Sequence, residues 1–254
     1  MKLFFVRPEL VFDDSLILSE RDSHHIRHVL RMKTGDMLSV SDGRKNLYQV
    51  CITGFHDTGV TCAISTQKPL PPMSPPSVVL IQAVPKGPRM DWLIQKATEL
   101  GVQEIIPVYM HRSVGFVTGE KGANRQSRWY RIATDAAKQC GRPNIPRVEL
   151  PSSLSEAMEK IPGDPLSIFC DETETENSLA HLHAQAPHPR NIVLLVGPEG
   201  GTTDEERTLL RQRGFQAVTL GDLVLRTETA GIVAVALVRY EWRRAVGLSR
   251  RNGQ

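Results

Sequence analysis

Cysteine is scarce in this chain. Cys51, Cys62, Cys140 and Cys170 are scattered, with no CxxC pair and no histidine at metal-ligand spacing. That argues against a disulfide framework or a zinc site, so no metal is expected and a reducing cytoplasm fits. Long apolar runs are also missing. None approaches the ~20 residues that a membrane helix requires, so no membrane partner is expected. The opening stretch, "MKLFFVRPELVFDD", has too short an apolar core and too early a charge for a secretion signal. No glycine turn is followed by GK[ST], which rules out a P-loop. Charge of one sign is in slight excess only, at +3, and its distribution says more than its sum. What is present, 40% hydrophobic and 23% charged residues over 254 positions, is the composition of a folded globular chain with one large or two modest domains.

The sharpest boundary is "QKPLPPMSPPS". Its prolines cannot donate ladder hydrogen bonds and favour extended backbone, so a semi-rigid linker is expected over residues 71–77. Before it, "DMLSVSDG", "NLYQVCITGF" and "VTCAIST" are short strand-like runs punctuated by turns, the pattern of a small β-rich domain over residues 1–70. One helical stretch, "SHHIRHVLRMKTGD", interrupts them. From residue 78 to 254 strands alternate with helices. "SVVLIQAVPK", "EIIPVYM", "LSIFCDE", "NIVLLVGPEGG" and "FQAVTLG" read as strands. "RMDWLIQKATELG" reads as a helix with Met90, Leu93, Ile94 and Ala97 on one face and Gly101 as its stop. "RWYRIATDAAKQCG", "DEERTLLRQRG" and "ETAGIVAVALVRYEW" are further helices. The alternation predicts an α/β class with a mostly parallel sheet covered on both faces.

"LLVGPEGG" ends a buried strand, where ligands of open α/β sheets bind. The helix after it opens "TTDEE", in which Thr202 with Glu205 and Thr203 with Glu206 both fit a capping box. Acidic side chains therefore already hold the positive end of that helix, which argues against a phosphate there. The turn also comes too late in the chain for a dinucleotide fold. Twenty residues on, "LGDLVLRTETAGIVAVAL" places Arg226 and Glu228 inside one of the most apolar runs of the protein.

Four segments, "KGPRMDWLIQKATELGV", "RWYRIATDAAKQCGRPNIP", "VGPEGG" and "LGDLVLRTETA", resemble the ribosomal RNA uridine-N3 methyltransferases of the SPOUT class. The resemblance runs nearly end to end, because "HHIRHVLRMKTGD" is similar to that family's PUA-like RNA-binding domain. It implies a C-terminal SPOUT α/β domain with a deep trefoil knot, a small N-terminal PUA-like β-barrel, a homodimer, and S-adenosylmethionine as methyl donor. The substrate it implies is a uridine of 16S ribosomal RNA, within the small ribosomal subunit. It also implies that Val196, Gly197, Pro198, Glu199, Gly200 and Gly201 in one turn, and Leu220, Gly221, Leu225, Arg226 and Thr227 in the other, grip the cofactor. The glycines would let main chain approach the ligand closely.

Methylation at uridine N3 requires loss of a weakly acidic imide proton, and Arg226 is the candidate to stabilise the resulting anion. Glu228 could orient Arg226, bind the base or take the proton; a buried Arg226–Glu228 ion pair capping the last helix is the purely structural alternative. For RNA, a helix through "HHIRHVLRMK" is expected to place His24, Arg27, His28 and Arg31 on one face by i,i+3 and i,i+4 spacing. A second basic stretch contributes Lys86, Arg89, Lys96, Arg112 and Arg142 as candidate phosphate contacts. Two positions depart from the family pattern: Leu223 stands where an arginine is usual, and His111 where an acid is usual. A SPOUT enzyme acting on a transfer-RNA ribose 2′-hydroxyl and a non-catalytic RNA-binding assembly protein are the competing readings.

Overall fold

The computed structural model describes residues 3–71, 73–113, 115–117, 119–161 and 163–249, with side chains as far as Trp242; Pro72 of the expected linker lies outside them. The chain divides into two compact units, Met1–Pro72 with Thr134–Ile145, and Met73–Ala133 with Pro146–Gln254.

The first unit holds β1 (Leu3–Phe5), β2 (Ser15–Ser19), α1 (Glu20–His24), β3 (Met37–Ser41), β4 (Asn46–His56) and β5 (Gly59–Pro69). Its sheet runs β1-β3-β4-β5-β2, with β1 parallel to β3 and the other neighbours antiparallel. Side chains alternate across a strand, and Tyr48, Val50 and Ile52 of β4 point to one side. They meet Leu16, Leu18, Val40, Val60, Cys62 and the helical Ile26 in one core. The "HHIRHVLR" segment departs from the regular helix expected. Ser19 caps α1 by accepting from the Asp22 amide, but His25–Val29 continue as a π turn. Arg31 then adopts the left-handed conformation at φ 55°. The wider turn rotates the ladder, so Arg31 leaves the helix that carries His24 and Arg27.

Residues 134–145 join this unit through specific bonds. Ser41 Oγ donates to the Pro143 carbonyl (2.5 Å), the Ile145 amide donates to the Gly43 carbonyl (3.0 Å), and Lys138 pairs with Asp22 (2.8 Å). The expected first domain was one continuous stretch; the compact unit is discontinuous. The expected linker meets regular structure only at its last residue, Ser77, where β6 begins, since β5 ends at Pro69.

The second unit holds β6 (Ser77–Ala83), α2 (Arg89–Glu99), β7 (Glu104–Tyr109), α3 (Gly119–Cys140, shared with the first unit), β8 (Arg147–Val148), β9 (Ser152–Ser153) and α4 (Leu154–Glu159). It continues with β10 (Leu166–Cys170), α5 (Leu179–Gln185), β11 (Asn191–Val196), α6 (Asp204–Gln212), β12 (Gln216–Val218) and α7 (Thr227–Ser249). All strands are parallel, in the order β12-β10-β11-β6-β7-β8, with β9 also on β7. β6 and β11 are buried at nearly every position, as a sheet covered on both faces demands. Val79, Ile81, Val108, Phe169 and Leu195 pack with Leu154, Met158 and Leu210 of α4 and α6. α7 packs against β6, β11 and α2. Gly231 allows that approach: a Cβ there would lie 2.8 Å from Leu93 Cδ1.

Strand order sets the site. From β10 the chain steps inward to β11, beside β6, and then outward past β10 to β12. The carboxyl ends of β12, β10 and β11 therefore sit side by side where the direction of winding changes, the place at which open parallel sheets bind ligands.

Candidate active site

The three strand ends enclose a cleft of about 440 Å³. Cys170, Asp171 and Glu172 come from the end of β10, Val196 to Gly201 from the turn after β11, and Val218 to Thr227 from the loop after β12. Val196, Gly197, Pro198, Glu199, Gly200, Gly201, Leu220, Gly221, Leu225, Arg226 and Thr227, expected from two separate segments, all line this one cleft.

The first turn closes by a bond from the Gly201 amide to the Pro198 carbonyl (3.0 Å), with Gly201 at φ 77°. Its glycines answer to protein neighbours as much as to any ligand. A Cβ at Gly197 would lie 2.8 Å from Thr202 Oγ1, and one at Gly200 would lie 2.9 Å from the Arg112 Cβ. Arg112 braces the turn from outside, Nη1 donating to the Gly200 carbonyl (2.9 Å). Of the two possible capping boxes, the one on Thr203 forms: its amide donates to Glu206 Oε2 (3.0 Å), and its hydroxyl accepts from the Glu206 amide (3.3 Å).

Thr227 ties the two loops together. Its hydroxyl accepts from Gln82 Nε2 (2.8 Å) and donates to the Gly197 carbonyl (2.5 Å), linking β6, the first turn and the start of α7. Gln82 escaped the sequence reading because a single amide inside the apolar run "SVVLIQAV" carries no periodic signal.

Arg226 and Glu228 occupy different surroundings, which corrects both the ion-pair alternative and the idea that Glu228 orients Arg226. Arg226 is exposed in the cleft lining, and no described group pairs with its guanidinium. The Glu228 side chain is 8% exposed, and its Oε1 lies 3.6 Å from Arg89 Nε. Its Oε2 has no hydrogen-bond partner among the described residues, and Glu228 is not part of the cleft lining. The separation follows from helix geometry, because Arg226 precedes α7 whereas Glu228 sits in its first turn.

The acidic wall of the cleft was not foreseen. Asp171 is wholly buried and receives both hydrogen bonds from Arg207 Nε (3.0 and 3.2 Å). Burial alone would raise its carboxyl, but bonds from the Thr173 amide and Arg207 outweigh it and hold the group below the ordinary aspartate range. The same guanidinium reaches Glu172 Oε1 (3.2 Å) and Asp204 (3.0 Å). The available signal was the pair Asp171–Glu172 directly after a buried strand.

A family model for the RNA methyltransferase domain matches residues 72–239, and one for the RNA methyltransferase PUA domain matches residues 18–65. The chain belongs to the RNA methyltransferase family. This RNA methyltransferase is 33% identical over 238 residues to the ribosomal RNA small subunit methyltransferase E of Synechocystis, covering 92% of this chain and 75% of that protein. Against the Bacillus subtilis protein of the same name it is 28% identical, covering 88% and 89%. A crystal structure of the Neisseria gonorrhoeae protein of that name, bound to S-adenosyl methionine, superposes with a TM-score of 0.81 at 30% identity, covering 95% of this chain and 98% of that one.

The basic residues expected to meet RNA are scattered in their environments. In the first unit His24, Arg27 and Arg31 are exposed. The His24 and His28 ring centres lie 4.7 Å apart with the planes tilted by 40°, and Arg27 lies over the Phe55 ring at 5.7 Å. Arg142, by contrast, is buried with Nε donating to Asn144 Oδ1 (2.9 Å), so it forms no part of an exposed basic surface. In the second unit of the methyltransferase, Lys96 pairs with Glu99 (2.9 Å), and Arg89 spans Glu199 (3.2 Å) and Glu228. The Lys86 amide also donates to Glu199 (3.1 Å), which leaves its exposed ammonium for a partner.

Proposed function

We propose that this RNA methyltransferase moves the methyl group of S-adenosylmethionine to N3 of a uridine in 16S ribosomal RNA. The observation that carries the reading is the gathering of both expected cofactor segments around one cleft, with Arg226 exposed in it. The donor set fits the cofactor. The cleft carries glycine-turn backbone, the apolar Leu220 and Leu225, and the carboxylates Glu172, Glu199 and Asp222, which suit a cationic ligand without phosphate. When bound, S-adenosylmethionine supplies an electrophilic methyl on sulfur. N3 must lose its imide proton, which passes to solvent water, to accept that methyl, and negative charge then spreads over N3, O2 and O4. Arg226 stabilises this charge with donors that strengthen as it develops. Glu228, buried against Arg89, serves the placement of α7 rather than proton removal in this reading.

The return of the chain after the outer strand β12 into α7, which packs on the central strands β6 and β11, supports a deep trefoil knot at the cleft, as the SPOUT class has. The five-stranded first unit, with the PUA match, supports a barrel that holds RNA through His24, Arg27 and Arg31. A homodimer acting on the small subunit in the cytoplasm completes the proposal, and no described helix is long and apolar enough to cross a membrane. The test is to incubate the purified protein with S-adenosylmethionine and small-subunit RNA from cells lacking the gene, then digest the RNA for mass spectrometry. N3-methyluridine is expected; a methyl on a ribose 2′-hydroxyl, or no transfer, overturns the proposal.

A further inference from the structure

Among the acids that line the cleft, Glu172 stands apart. The Asp171 side chain has no exposed surface, and its oxygens are taken by Thr173 and Arg207. Glu199 spends Oε1 on Arg89 and the Lys86 amide. Glu172 keeps 38% of its side chain exposed, and Arg207 reaches only its Oε1; no described hydrogen bond uses Oε2. The carboxylate packs against Gly201, where an added Cβ would collide with it, so the missing side chain of that turn is what makes room for it. Its place is central, because it follows β10, the strand flanked by both β11 and β12.

We infer that Glu172 is the residue that makes the site prefer the sulfonium cofactor over its neutral thioether product. This rests on the proposed function. A ligand gripped by the turns after β11 and β12 would cross the end of the strand between them, which carries Glu172, and in S-adenosylmethionine the group that joins adenosine to the amino acid is the charged sulfur. Arg207 is a positioning residue: it holds Asp171 and Glu172 in one fork through Glu172 Oε1 and leaves Oε2 without a described partner on a residue that lines the cleft. The carboxylate attracts the cation before transfer and loses that attraction once the methyl has left, which favours product release.

S-Adenosylhomocysteine shares the adenosine and the amino-acid ammonium of the cofactor and lacks only the methyl and its charge. The ratio of the two dissociation constants therefore isolates the sulfonium. Titration calorimetry at low salt is run on the wild type, on Glu172→Gln, which keeps an oxygen for Arg207, and on Asp204→Asn. Asp204 shares Arg207 but lies outside the cleft lining and is 94% exposed. Glu172→Gln should weaken S-adenosylmethionine by about tenfold, as one lost charge interaction at a half-screened site implies, and leave S-adenosylhomocysteine unchanged. Asp204→Asn should change neither. Equal weakening of both ligands by Glu172→Gln places the carboxylate on the shared ammonium and overturns the inference, as does no change in either or an equal effect from Asp204→Asn. If the wild type binds neither ligand, the proposed function itself falls.

Discussion

Arg226 and Glu228 stand two positions apart and, in the proposed function, have different roles. An exposed guanidinium in a cleft can meet a developing anion, whereas a buried carboxylate held by Arg89 fixes the first turn of α7. Arg226→Ala should fold normally and lose roughly 10²–10³ in methyl-transfer rate, the cost of removing one preorganised donor; single-turnover transfer to ribosomal RNA, with circular dichroism to check folding, measures it. Asp171 carries a different consequence. Its folded pKa is depressed from an unfolded value of about 3.9. The stability it contributes is therefore fully present above about pH 4 and lost as pH falls through the folded value. Urea unfolding below about pH 4 should show midpoints dropping with acid, and Asp171→Asn should flatten that decline. At this scale the sequence was legible wherever residues lay in one contiguous motif, as in "VGPEGG" and "LVLRTE". Gln82, Asp171 and Arg207 were not legible, because their roles depend on partners that only the sheet order brings near.

Among the elements, the periodic helices read correctly. α2 buries Met90, Leu93, Ile94 and Ala97 as its spacing requires. α3 starts at Gly119, well before the apolar stripe that announced it, because its first turns are polar. α4 was passed over although Ser153 and Glu156 form a capping box, since six residues are too few to show a period. The π turn after α1 leaves no mark in composition, so the expected face of His24 and Arg31 broke there. The glycine turn offers a test at this level. Gly201 and Gly214 share a left-handed backbone, at φ 77° and 79°, but only Gly201 has neighbours where a Cβ would go. Gly214→Ala should cost roughly 1–2 kcal/mol for the backbone alone. Gly201→Ala should cost more and weaken S-adenosylmethionine as well. Urea midpoints of the two variants, side by side, separate strain from crowding.

For the whole molecule, the alternation of strands and helices disclosed the parallel sheet, while the composition of the first unit did not disclose its second segment. Residues 134–145 carry no long apolar run, and they bond to Ser41, Gly43 and Asp22 of the unit. A fragment ending at residue 72 should therefore be incomplete. Adding a peptide of residues 134–145 should raise its melting temperature and slow amide exchange in β3 and around Asp22; no change with a saturating peptide would mean that the segment is dispensable. The same discontinuity bears on birth order. At a synthesis rate of about 5–20 residues per second, the ribosome needs roughly 4–15 s to travel from residue 72 to residue 145. For that interval the nascent N-terminal sheet waits for its last segment, while the first strands of the second unit are already being made. Translation speed through this stretch, rather than any property of the finished protein, then sets how long the incomplete sheet is open to wrong partners.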